Sequence, residues 1–113
     1  MFVLKQDYTY EWPVDVKVPA EGKHQIQRFN GKFKVLAQEE AEAIVGRGAA
    51  AVTMELLRKV FVGWGDEVTA EAGGPLAFNE ANRDAMLSIP YVRIAIALAY
   101  YESILGEKWR EKN

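Results

Sequence analysis

Apolar and polar positions alternate at the start of the chain. Val14, Val16 and Val18 are separated by Asp15 and Lys17, the period of two that marks a half-buried strand. Trp12-Pro13 leads into this stretch, and a proline there suits an edge strand or a strand start. Pro19-Ala20-Glu21-Gly22 reads as a turn, and Ile26, Phe29, Phe33 and Val35 mark the return. The parity of the apolar positions changes between Ile26 and Phe29, which predicts a bulge or break there. Asn30-Gly31 is a strong local signal for a type I′ hairpin turn. Two readings stay open: one long return strand over 24–36, bulged in its middle, or a three-stranded meander with a second turn at Asn30-Gly31.

From residue 37 onward the apolar spacing becomes helical. Ala37, Ala41, Ile44 and Val45 give an inner face to a helix over 38–45, with Glu39, Glu40 and Glu42 early in it, where they suit the helix dipole. Gly46-Arg47-Gly48 breaks it. Ala50, Met54, Leu57 and Phe61 then form an amphipathic row that Gly63 can end. A loop over 63–77 follows, long enough in a small domain to be functional or mobile. Asn79 is a good N-cap for a helix to about Ser88, with Ala81, Ala85 and Met86 expected inside. Ile89-Pro90 separates it from the last helix, 90–106, which proline opens and Gly106 closes. Ile94 to Tyr101 is apolar on every face, so this helix is either the centre of a small bundle or shared with another subunit. The charged stretch 107–113 is expected to form a tail.

The expectation is therefore one α+β domain over 1–113: an N-terminal antiparallel β-hairpin region (1–36), then a helical region (37–106) of about four helices with 90–106 central. The chain has 113 residues and a net charge of −2, which gives no overall electrostatic case for nucleic acid. With no cysteine there is no disulfide, thiol catalysis or thiolate metal site, and the composition fits a reducing cytoplasm. Met1-Phe2-Val3-Leu4 is too short for the apolar core of a signal peptide, and the last helix is too short and too charged at its ends to span a membrane.

Candidate chemistry is sparse. His24, the single histidine, reads as an exposed turn residue without a metal-binding companion. Gly63-Trp64-Gly65 follows a helix and lacks the third glycine of a dinucleotide fingerprint. Asp66, Glu67 and Glu71 lack the ligand spacing of a calcium loop. No nucleophile–base pair stands out, so an enzyme is not expected; converging carboxylates at Glu55, Asp66 or Asp84 would reopen that reading. No cofactor is expected. The aromatic residues are the main candidates: Trp12, Trp64, Tyr91, Tyr100, Tyr101 and Trp109 serve either as core or as anchors of an interface.

Three pieces of the chain resemble a family of phage and prophage tail assembly chaperones. They are Trp12-Pro13-Val14 leading a valine-rich strand into one that ends Phe33-Lys34-Val35-Leu36; Val62-Gly63-Trp64 with an acidic loop and Gly74-Pro75-Leu76-Ala77-Phe78; and Ile89-Pro90-Tyr91-Val92-Arg93 opening an alanine-rich helix, with a basic tail ending Lys112-Asn113. The chain departs from that pattern at Gly73-Gly74, where a more acidic turn is common. The resemblance implies a small, non-catalytic holdase in the bacterial host cytoplasm. Such a factor binds the long, largely helical tape measure protein of a long-tailed phage before the tail tube polymerises around it. It also implies a homo-oligomer, and a longer frameshifted form that recruits the tail tube protein. Glu111-Lys112-Asn113 can be encoded GAA AAA AAC, which permits a backward slip by one base. The resemblance favours the continuous return strand. Partner contacts are expected at Trp64, Tyr91, Tyr100, Tyr101 and Trp109, with the client held near Trp64 and the 63–77 loop. The alternative is a structural tail component, a tube or joining subunit.

Overall fold

The valine alternation forms the strand it predicts. In the computed structural model, which describes residues 2–4, 8–37 and 49–106, β1 spans Thr9–Ala20 and β2 spans Lys23–Lys34. Between them lies a two-residue turn, Glu21 (φ 49°) and Gly22 (φ 80°). Positive φ at both positions is the type I′ geometry, whose twist matches the strands it joins. The register then runs without interruption from Ala20 opposite Lys23 to Thr9 opposite Lys34.

That register settles both open points about the return strand. The expected bulge between Ile26 and Phe29 is absent, because Ile26 turns to the outer face and is 63% exposed, while Phe29 is buried. Asn30-Gly31 is not a turn. It lies within β2 opposite Pro13 and Trp12, and neither residue has positive φ. Glycine is there for room: a Cβ on Gly31 would stand 3.1 Å from the Phe33 ring and 3.2 Å from a Val14 methyl.

A third strand, β3 (Phe61–Trp64), pairs antiparallel with the other side of β2, giving the order β1-β2-β3. Its register shifts between Lys32 and Phe33, so Val62 is an extra residue on β3. The apolar spacing puts Phe61 inside a helix that Gly63 can end. That helix, α1 (Ala49–Val60), instead stops at Val60, and Phe61 begins the strand. A short apolar and β-branched run is ambiguous between the two states; here the ladder with β2 and the Phe33 ring, 5.7 Å from that of Phe61, decide it.

Two helices complete the layer. Asn79 caps α2 (Glu80–Leu87), its side-chain oxygen accepting from the Asn82 N–H at 2.8 Å. Inside α2 the expectation fails in part: Ala81 and Ala85 are exposed, Met86 is half-buried, and Leu87 is the core residue. Helix α3 (Pro90–Leu105) begins on its proline and ends at Gly106 in the left-handed region, as expected. It lies along β1 on the inner face of the sheet and is not the centre of a bundle. The described residues hold three helices; the helix expected over 38–45 lies outside them.

The core is the inner face of the sheet against these helices. Val14, Phe29, Phe33 and Phe61 meet Leu57 and Val60 of α1, Leu87 of α2 and Ile96, Ala99 and Tyr100 of α3. No polar or charged residue is buried among the described residues.

Candidate functional site

Beside the end of β3, an open cleft of about 450 Å³ lies over the inner face of the hairpin. Its floor is Val16, Val18 and Phe29 on the inner face of the hairpin. One wall is Val68, Thr69 and Leu76 of the loop after β3, and the other is Met86, Ile89 and Val92 where α2 hands over to α3. Tyr91 stands at the rim, and Arg28, Glu67 and Asn82 supply polar groups.

Each wall is tied in place. The loop folds back on itself, with Leu76 N–H donating to Val68 O and Ala70 N–H to Gly74 O, both at 2.9 Å. The Trp64 indole N–H donates to Leu76 O at 2.7 Å, and the Phe78 ring packs edge-on against the indole at 4.8 Å. Glu67 Oε1 accepts the Asn30 N–H at 2.8 Å, which pins the loop to β2 where β3 ends. On the opposite side the Asn82 side-chain amide donates to Ala77 O at 2.8 Å, and Arg83 donates to Arg58 O at 3.0 Å, fastening α2 to the loop and to α1. Arg93 reaches back to Leu87 O at 3.2 Å across the α2–α3 junction. The cleft is therefore preformed, largely apolar, and lined in part by a methionine, which adapts its shape to varied apolar side chains.

The expected partner residues do not gather at one place. Trp64 is buried at 7% exposure, so it holds the loop from inside and presents no face to a partner. Tyr100 is equally buried, its ring 6.0 Å from Phe33 and 5.7 Å from Tyr101. Tyr101 is half-buried on α3, and Tyr91 alone reaches the cleft. Trp109 lies outside the described residues. The valines, Met86, Ile89 and Val92 that build the cleft were legible only as apolar; the Ile89-Pro90 break was the one local hint that the chain exposes an apolar corner there.

The carboxylates whose convergence would reopen an enzymatic reading lie apart from the cleft. Glu55, Asp66 and Asp84 do not line the cleft, and Asp84 pairs with Arg83 at 3.1 Å and Arg58 at 3.4 Å. Among the described residues no group of three or more His, Asp or Glu side chains could hold a metal ion, and no helix is long and apolar enough to cross a membrane. His24 is exposed beside the turn. Burial raises the pKa of Tyr10 against a smaller opposing effect of its 2.7 Å hydrogen bond with Ser103, and burial likewise raises that of Tyr100. Both belong to the core seam between β1 and α3. Comparison with family models, with curated proteins and with solved structures finds no match.

Proposed function

We propose that this chain is a tail assembly chaperone of a long-tailed phage, a holdase that acts in the bacterial host cytoplasm. It shields apolar segments of the tape measure protein until the tube is built around them. The observation that carries the reading is the preformed apolar cleft between the hairpin, the 65–77 loop and the α2–α3 junction. A groove of this kind takes the apolar face of an amphipathic helix through residues spaced about one turn apart. The ordered motifs described above supply the client; the cleft supplies a means of holding it that needs no nucleotide. In this reading the client lies against Met86, Ile89, Tyr91 and Val92; the burial of Trp64 and Tyr100 argues against a hold on their faces.

Co-expression tests the reading. The unmodified chain should keep the tape measure protein encoded beside it soluble, and Met86→Glu with Ile89→Glu should lose most of that effect while the chain itself stays folded. Unchanged client solubility with a folded double variant would remove the cleft as the holding site.

The second reading, a structural tail component, is favoured by one feature. Ile94 and Ile104 on the outer side of α3 are 56% and 49% exposed. Such a stripe suits packing between subunits, and stable rings or tubes of the purified chain would favour it.

A further inference from the structure

The two edges of the hairpin are not alike. The two-residue turn makes Ala20 and Lys23 a hydrogen-bonded pair, and antiparallel pairing then alternates. Even-numbered residues of β1 and odd-numbered residues of β2 bond each other, and the rest turn their backbone groups outward. The far end agrees, with Val35 N–H donating to Tyr8 O at 3.1 Å. On β1 the outward positions include Pro13 and Pro19, which have no N–H to offer, so that edge is blunted. On β2 the outward groups of Asn30 are taken: its N–H by Glu67 Oε1 and its carbonyl by Gly65 N–H at 3.0 Å. Arg28, Ile26 and His24 follow on the same side. Among the described residues nothing bonds their backbone N–H or C=O groups, and all of 23–28 is exposed.

We propose that this edge, residues 24–28 of β2, takes an extended acidic and apolar segment of a partner protein as an added strand, antiparallel to β2 and in line with β3. Charge chooses the partner. β2 carries Lys23, Arg28, Lys32 and Lys34 and no acidic residue. Lys17, on β1 opposite Ile26, faces the same way. Arg28 is held by Asp15 in a bidentate pair, whereas Lys17 and Lys23 make no ion pair among the described residues. An added strand places one side chain opposite Gln27, over the mouth of the cleft, and the next beside the exposed Ile26. Those two positions want apolar residues, and the ones beside His24 and Lys23, near Lys17, want carboxylates; beside Arg28, where Asp15 and Glu67 already supply carboxylates, a neutral residue fits. The backbone supplies the pairing, so the site does not depend on the chaperone reading.

The test uses the full chain and a fluorescent probe peptide flanked by glycines, threonine–valine–isoleucine–threonine–glutamate–glutamate, whose residues lie in turn opposite Arg28 to Lys23. Binding should slow exchange of the amide hydrogens of His24, Ile26 and Arg28 by about tenfold or more, leaving those of Gln25 and Gln27, already bonded to β1, nearly unchanged. Ile26→Pro removes one outward N–H and no β1 bond, and should weaken binding by about tenfold. Lys17→Glu with Lys23→Glu should weaken it as well, and a probe with lysine in place of glutamate should not bind. The proposal falls if saturating probe leaves the three amides unprotected, or if the lysine probe binds equally well. It falls too if those amides become protected with rising protein concentration and no probe, which would put a second copy on the edge. If Ile26→Pro does not fold, the exchange pattern of the unmodified chain and the charge-reversed variant decide.

Discussion

Tyr100 shows how one residue can be read correctly as apolar and wrongly as accessible. Its ring belongs to the seam of Phe33, Tyr10 and Tyr101, so a charge there, as in Tyr100→Glu, would disrupt the core and not a subunit contact. Burial, and behind it the neighbouring Tyr10 and Tyr101, raises its pKa. The sign of the pH effect follows. An unfolded tyrosine ionises near pH 10, at about its ordinary value. The folded chain resists ionisation, so this contribution to stability is complete below that pH and is lost as pH rises through the folded value. Tyr100→Phe keeps the ring and removes one ionisation. Its unfolding free energy should decline less steeply than that of the unmodified chain between roughly pH 9 and 11. Denaturant titrations across that range measure the slope, and identical slopes would mean that Tyr100 does not contribute.

At the scale of the element, β2 is the piece whose local signals and tertiary setting disagree most. Asn30-Gly31 invites a turn, yet the strand runs through it because Gly31 lets Phe33 and Val14 close over the backbone. A side chain there overpacks the inner face. Gly31→Val raises local strand propensity but should destabilise the chain by about 1–3 kcal/mol, the usual penalty for forcing extra methyl groups into a packed core. A shift of the urea midpoint to lower concentration with an unchanged slope would show it; a gain in stability would mean that propensity outweighs packing. The 65–77 loop teaches the complementary lesson. A loop of that length suggests mobility, but Trp64, Glu67 and its own backbone bonds hold it as one wall of the cleft.

For the whole molecule, the sheet has its inner face under three helices and α3 keeps an apolar row on its other side. Ile94 and Ile104 lie on that row, with Tyr101 half-buried between them. An exposed stripe of this kind is where self-association should act. Ile94→Glu with Ile104→Glu should shift any oligomer toward monomer in sedimentation runs while leaving the thermal unfolding of the monomer nearly unchanged, because neither side chain is in the core. If the unmodified chain is a monomer at high concentration, the stripe is not a subunit contact.

Whatever is set within a turn or two of the chain was legible in the residues. The valine alternation made β1, Asn79 started α2, and Pro90 and Gly106 bounded α3, because caps and periodicity depend on near neighbours. The α+β class follows from the same signals. The rest depended on contacts between segments distant in the chain. Phe61 to Trp64 became a strand because the edge of β2 offered backbone groups to pair with, and Asn30-Gly31 stayed extended because Pro13, Trp12 and the Phe33 ring lie against it. Those contacts also decided which apolar residues are covered: Trp64 and Tyr100 went inside, while Ile26 and Ile94 stayed out. Side chains of similar hydrophobicity are sorted by where distant segments meet, and the cleft lies where the hairpin, the loop after β3 and the α2–α3 junction come together.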